Sequence, residues 1–277
     1  MIPYFLIAPS LLFLGMLFLV PLVQTIALSF QVHGAWTTAN FTTMADDINF
    51  HDAIVDTLAI VAIAVPLQLV LALGMAMMLR GLNRGRDIVL WIWSIPLGIS
   101  DLAAGLVWLA ILTDRGFLNT ILLKLGLVSG PVSWLSYETP IALLIGIAFA
   151  ELWRATAIVL VILVAGVQML PKEYNEAADV FGASPWQRFT KITLPLLKPS
   201  IQTALILRTV LAFEMFAIVQ AIGGRNFPVI VGEAFTWQYT NQDFGVAAAY
   251  AVVVMLVSLA ATLVYLRALR TPREQIG

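Results

Sequence analysis

Cysteine is absent from the 277 residues, which rules out disulfides, thiolate metal sites, iron–sulfur clusters and cysteine nucleophiles. Charge is also scarce. Asp, Glu, Lys and Arg make up 11% of the chain, against roughly 25% in a soluble domain. The two histidines, His33 and His51, fall in one predicted outer loop, where solvation explains them and no metal site is expected. No G-x-x-x-x-G-K-[ST] occurs. The nearest stretch, GLNRG at 81–85, has neither the lysine nor the hydroxyl, so the chain carries no phosphate-cradling loop of that type. Without G-x-S-x-G, and with both histidines in an outer loop, no hydrolytic triad is convincing. Repeats and low-complexity tracts are missing too, and nothing points to a nucleic-acid partner.

What remains is apolar. Hydrophobic residues make up 61% of the chain, and the mean hydropathy is +0.94. Six runs, at residues 4–30, 54–79, 88–112, 141–169, 201–222 and 244–266, are each long enough to cross about 30 Å of hydrocarbon as a helix. A helix satisfies its own backbone hydrogen bonds in lipid, and continuous runs do not suit alternating barrel strands. An all-α membrane protein of six transmembrane helices is expected, as one domain over residues 1–277. The N-terminus has no basic n-region and its first apolar run is too long for an h-region, so no cleavable leader is expected.

Basic residues set the orientation. One group of loops holds Arg80, Arg84 and Arg86, then Lys172, Arg188, Lys191 and Lys198, then Arg267, Arg270 and Arg273. The opposite group holds Arg115, Lys124 and Arg225 among Asp46, Asp47, Asp52, Asp114, Glu138, Glu233 and Asp243. The positive-inside rule places the first group and both termini in the cytoplasm. On the outer side, Leu118, Ile121, Leu122 and Leu125 are helix-spaced and predict a short surface helix. GGRNFP at 223–228 is a breaker cluster.

Between the fourth and fifth runs lies the longest polar segment, EYNEAADVFGASPWQRFTKITLPLL. Pro171 suits a first helical turn, and Glu173 and Glu176 suit the positive end of the helix dipole. Tyr174, Ala177, Ala178 and Phe181 form one apolar stripe. Gly182 stops the helix in the left-handed conformation. Ser184, Pro185 and Gln187 read as N-cap, N1 and capping-box partner of a second helix reaching about Leu194, and Pro195 bends or ends it. The segment is either a well-capped connector lying on the membrane surface or a docking element.

Five charges fall inside predicted spans: Asp101, Glu151, Arg154, Arg208 and Glu214. Each is costly facing lipid, by at least about 2–3 kcal/mol, so they should face a protein interior or a wet cavity. Glu151 and Arg154 share a helix face and can pair. Three readings stay open: a structural ion-pair network, a polar translocation path, or the proton relay of a secondary carrier. Trp93, Trp108, Trp153 and Phe213 are candidates for stacking on a sugar face, although Trp in membrane helices is also an interfacial anchor. The path candidates are Asp101, Glu151, Trp153, Arg154, Phe213 and Glu214.

Glu176-Ala177-Ala178, then Gly182, then Ile192-x-Leu194-Pro195 resembles the EAA motif of binding-protein-dependent ABC importer permeases at every signature position. Further residues resemble the carbohydrate branch of that family: Pro3-Tyr4 through Pro9 with Pro21, Trp153-Arg154, Leu163-x-Ala165-Gly166, Arg208-Thr209, Ala212-Phe213, Phe216 and Gly223-Gly224. The likeness covers essentially the whole chain. It departs from the family pattern at the N-terminus, which begins almost inside the first span without the usual basic tail.

The resemblance implies a type I ABC importer permease fold and a coupling-helix loop over 171–197. Glu176, Ala177, Ala178 and Asp179 would pack into a groove of an ATPase subunit, with Gly182 as the tight corner. Arg188 and Lys191 would meet acidic groups of the ATPase or lipid headgroups, or serve only as positive-inside anchors. The implied partners are a second permease subunit, two ATP-binding subunits that bind ATP and Mg, an extracytoplasmic solute-binding protein and a sugar-like substrate. The chain itself would bind no cofactor and do no covalent chemistry. A proton-coupled carrier using Asp101, Glu151 and Glu214, or a membrane scaffold without a transport path, are the rival readings.

Overall fold

The computed structural model describes residues 2–269 except Asn83, Tyr137 and Lys172, and side chains from residue 7 onward except that of Asn175. Of the basic residues used above for orientation, Lys172, Arg270 and Arg273 lie outside the described residues.

Helices dominate. In chain order they are α1 (Ile2–Leu14), α2 (Val20–Ser29), α3 (Ala39–Ala45), α4 (Phe50–Arg80), α5 (Arg86–Ser94), α6 (Asp101–Leu112), α7 (Phe117–Lys124), α8 (Pro140–Gln168), α9 (Glu173–Val180), α10 (Pro185–Arg188), α11 (Leu194–Leu196), α12 (Lys198–Phe213), α13 (Ala217–Ile222), α14 (Ile230–Tyr239) and α15 (Phe244–Ala268). A two-strand antiparallel hairpin, β1 (Gln31–Val32) and β2 (Ala35–Trp36), follows α2. Among the described residues, five helical segments are long and apolar enough to cross a membrane, and the bent pair Pro185–Leu196 and Lys198–Phe213 makes a sixth.

Runs one, two, four and six match the expected spans closely. Run three does not. The chain expected to be one helix over 88–112 is α5, a 3-10 turn at Ile95–Gly98, and α6. Pro96 sits at the start of that turn, and Ser100 caps α6 by accepting from the Ala103 N–H at 3.2 Å. The apolar stretch that meets the length test is instead Asp101–Lys124. Run five is also broken: α12 stops at Phe213 and α13 begins at Ala217. A short helix is present where Leu118, Ile121, Leu122 and Leu125 predict one, as α7, which ends at Lys124 and belongs to the same apolar stretch as α6. It is fastened by Asn119, which is fully buried and donates to the carbonyls of Thr113 (3.3 Å) and Val132 (2.9 Å).

Two compact units emerge. One comprises Met1–Thr57 and Pro228–Val257, and the other Leu58–Phe227 and Ser258–Gly277. In the first, buried Asn40 donates to the carbonyls of Leu28, Ser29 and Gln31 at 3.1–3.2 Å and ties α3 to the end of α2. Asp47 accepts from the Trp237 indole (2.5 Å) and the Tyr250 hydroxyl (2.8 Å), joining α14 and α15 to the segment before α4.

In the second unit α8 is central. Of its apolar stretch 61% is buried, against none of that of the first span, so a helix apolar all round is here a core helix. Ala72, Ala76 and Leu79 of α4, Leu160 and Leu163 of α8, and Ile201 and Ala204 of α12 share one core. Small residues set the closest approaches. A Cβ on Gly105 of α6 would lie 2.6 Å from Ala221 Cβ and 3.1 Å from Ile218 Cα of α13.

Candidate functional site

The polar segment folds largely as its residues dictate. Gly182 adopts φ +68°. Its N–H donates to the Asp179 carbonyl at 3.0 Å, and the Ala183 N–H reaches back to the Ala178 carbonyl at 2.9 Å. These are the two bonds of a Schellman ending, and they satisfy carbonyls that α9 would otherwise leave open. Ser184 and Gln187 close a reciprocal capping box, with Pro185 at the first turn of α10. Arg188 pairs with Asp179 at 2.5 Å, so its guanidinium locks α10 to α9.

The apolar stripe is not buried as a stripe. Ala178 is covered, but Tyr174, Ala177 and Phe181 are exposed, Phe181 at 88%. Glu176 and Asp179 are exposed beside them. α9 therefore offers small, aromatic and acidic groups outward from a corner held by five local bonds.

The second helix differs from expectation. It reaches only Arg188 as α-helix and then widens into a π-turn at Phe189–Thr193. Pro195 explains this. Its ring would strike the carbonyl four residues back in a regular helix, and a wider turn relieves the clash. The 66° bend comes later, at Leu197, where α12 begins with Pro199 in its first turn.

The intramembrane charges form a chain in the second unit. Arg208 Nε donates to Gln68 Oε1 at 2.5 Å, and Arg208 Nη2 pairs with Glu151 Oε1. Gln68 Nε2 donates to the Glu151 backbone carbonyl at 2.9 Å. Arg154 lies 3.8 Å from Glu151 and 2.7 Å from Asp101. Two cations and two carboxylates cancel. Exposure rises along the chain, from 1% for the side chains of Arg208 and Glu151 through 17% for Arg154 to 44% for Asp101. The buried end joins α4, α8 and α12, and the other end is open to its surroundings at Asp101. The Glu151–Arg154 pair expected from spacing is present but loose; Arg208 is the tighter partner.

Trp153 meets Trp108 edge-on at 6.4 Å, both half-buried beside Arg154 in sequence or across from it. Phe213 is buried at 4% exposure. Glu214 is the exposed C-cap of α12 and stands apart from the ion-pair chain. Gln68 was missed from the sequence, although a lone amide in a 31-residue apolar helix is a visible signal. Among the described residues no three His, Asp or Glu gather as a metal site.

The family model for binding-protein-dependent transport system inner membrane components matches residues 49–270, which include both the polar corner and the ion-pair chain. The chain belongs to this family. The permease is 34% identical over 216 residues, 76% of its own length and 72% of the relative's, to the trehalose/maltose transport system permease protein MalF of Thermococcus litoralis. It is 31% identical over 283 residues (96% and 89%) to the sulfoquinovosyl glycerol transport system permease protein SmoG of Agrobacterium fabrum.

In fold it is similar to a chain in the crystal structure of a bacterial alginate ABC transporter in complex with an alginate pentasaccharide-bound periplasmic protein. The TM-score is 0.82 at 21% identity, covering 97% of the permease and 94% of that chain. The fold is thus that of type I ABC importer permeases. The permease is a multi-pass inner-membrane subunit of an ABC importer, a transport component rather than a catalyst. Nothing in these relationships favours the proton-coupled carrier.

Proposed function

We propose that the permease carries a sugar or related solute (an oligosaccharide, a disaccharide or a glycerol-phosphate-like molecule) across the cytoplasmic membrane, driven by a partner ATPase docked on α9. The outward-facing corner at Gly182 carries this reading. A rigid, fully capped turn that leaves Tyr174, Ala177 and Phe181 uncovered suits transmission of a push better than a passive connector. Two ATP-binding subunits hold ATP and Mg, and closure of their dimer draws this corner and that of a second permease subunit together. The solute path then switches its access as a rigid-body motion. A solute-binding protein delivers substrate from outside, and both termini lie in the cytoplasm, a placement that the asymmetry of basic residues supports.

The sugar-named relatives support the solute class. So does the open end of the ion-pair chain, where Asp101 and Arg154 offer acceptor and donor groups suited to hydroxyls beside Trp153. Glu214 offers a further exposed carboxylate at the end of α12, where Phe213 is buried and supports the wall rather than stacking on solute, and Glu151 positions Arg154.

Gly182→Asp tests the coupling role. Nothing lies within 4 Å of a Cβ there, so the new carboxylate has room, but at φ +68° any L side chain is strained and the variant perturbs the corner as well as its surface. ATP-driven uptake by the reconstituted complex should fall about tenfold or more, equivalent to ~1.4 kcal/mol of lost docking, while the permease stays monodisperse. Normal uptake would show that the ATPase grips elsewhere.

A further inference from the structure

A cavity of about 260 Å³ opens where the ends of α4, α5 and α8 meet. Ala76, Val164 and Val167 form its apolar wall, and Arg80, Arg86 and Gln168 its polar one. Both arginines are half-buried, and neither has an ion-pair partner among the described residues. Arg86 Nε is shut off from solvent with no acceptor among the described residues. α5 starts at Arg86 with no side-chain cap, so its first-turn N–H groups add to the positive field. Asp87 follows in sequence but is exposed, and Asp179 is engaged by Arg188.

Arg80 also lines a second groove with Met77, Arg188 and Phe189. Through Met77 and Phe189 that groove runs on into a trough of about 680 Å³ walled by Val70, Leu73, Gly74, Met77, Trp186 and Phe189. The whole path is cationic at one end and apolar at the other. It follows α4 from Val70 to Arg80, a rise of ~15 Å, which is half of the roughly 30 Å hydrocarbon core and so the depth of one leaflet. Trp186, 71% exposed, adds a broad apolar ring to the wall of the trough.

We propose that this groove holds one anionic glycerophospholipid, its phosphate between Arg80 and Arg86 and an acyl chain in the Leu73–Trp186 trough. A guanidinium pair without carboxylates calls for an anion, and a phosphodiester accepts paired N–H donors. The trough excludes a sugar, because it offers no polar partner for hydroxyls. A soluble anion would leave the trough uncovered. The site adjoins the base of the polar corner through Arg188, Trp186 and Phe189, leaves the exposed face of α9 free, and does not depend on the solute.

The test uses the intact transporter complex in mild detergent. It is titrated with phosphatidylglycerol or phosphatidylcholine, and bound lipid is counted by native mass spectrometry. Wild type should retain one phosphatidylglycerol per copy in preference to phosphatidylcholine. Arg80→Gln/Arg86→Gln should lose about 25-fold in phosphatidylglycerol affinity, at roughly fivefold per cation, with phosphatidylcholine unaffected. Gly74→Phe, at a position where nothing lies within 4 Å of a Cβ, should fill the trough and expel the lipid with both arginines intact.

Equal retention of the two lipids by wild type overturns the proposal. So does loss in the double variant with none in Gly74→Phe, which marks a site for free phosphate. A trough protected from labelling only while the ATPase is bound, with no lipid retained, assigns the groove to a protein partner and overturns it as well. The wild-type comparison decides the matter even if a variant fails to fold.

Discussion

Removing Arg208 tests whether the buried end of the ion-pair chain holds the helices together. Its side chain and that of Glu151 are each 1% exposed. Arg208→Met leaves the Glu151 carboxylate with only Arg154, 3.8 Å away, and strips Gln68 Oε1 of its 2.5 Å donor. Breaking one partner out of a buried pair costs about 3–5 kcal/mol, because the other charge stays buried. The orphaned amide oxygen lies within the same penalty or adds to it by about 1–3 kcal/mol. At a few degrees per kcal/mol for a chain of this size, the unfolding midpoint should fall by about 10 °C.

The triple variant Arg208→Met/Glu151→Leu/Gln68→Leu removes both orphaned partners as well and leaves Arg154 with Asp101 at 2.7 Å. It should regain most of the loss. Purified permease would be heated at one fixed rate, because membrane proteins unfold irreversibly. Tryptophan emission and monodispersity report the transition. A triple variant no more stable than Arg208→Met would refute the reasoning, since the loss would then not come from an uncompensated charge.

Two further outcomes follow from close contacts. Gly105→Ala pushes a methyl to 2.6 Å from Ala221 Cβ and against Ile218 backbone, so it should destabilise by about 1–3 kcal/mol; a midpoint equal to wild type would show that α6 and α13 separate freely. Asn40→Asp replaces the donor to three carbonyls by an acceptor, and it should destabilise more than Asn40→Ala, by roughly 1–3 kcal/mol relative to wild type. Limited proteolysis near the β1–β2 hairpin would read the difference, and equal cleavage of the two variants would contradict it.

Much of the polar corner was legible because its signals are local. A glycine after an i, i+3, i+4 stripe, and Ser-Pro-x-Gln at the next turn, each specify a short-range bond that the structure contains. The π-turn before Pro195 was not legible. It depends on how a wide turn competes with a kink, and the bend duly moved to Leu197. The ion-pair chain was half legible. Spacing on one helix suggested Glu151 with Arg154, but Arg208 arrives from 57 positions away and Gln68 from 140 positions before Arg208.

Breaks inside apolar runs were hard to foresee for a similar reason. Hydropathy measures length of transfer, not continuity of the helix, so runs three and five each read as one element. Pro96 and Gly98, just before Asp101, already suggest an irregular third run in the sequence, and the break falls there, with Ser100 capping the helix that follows. Helix α14 and the hairpin follow from contacts such as Asp47 with Trp237 and Tyr250, and no periodicity announces those.

Composition and local pattern by themselves determined that this chain lives in a membrane as helices and that its longest polar segment is a capped corner. Those properties depend on transfer free energy and on bonds spanning a few residues. Only the tertiary structure decided which helix is central, which arginine satisfies Glu151, and which apolar residues stay uncovered. Those outcomes depend on where distant segments meet, and a buried charge accepts whichever partner the packing brings within reach.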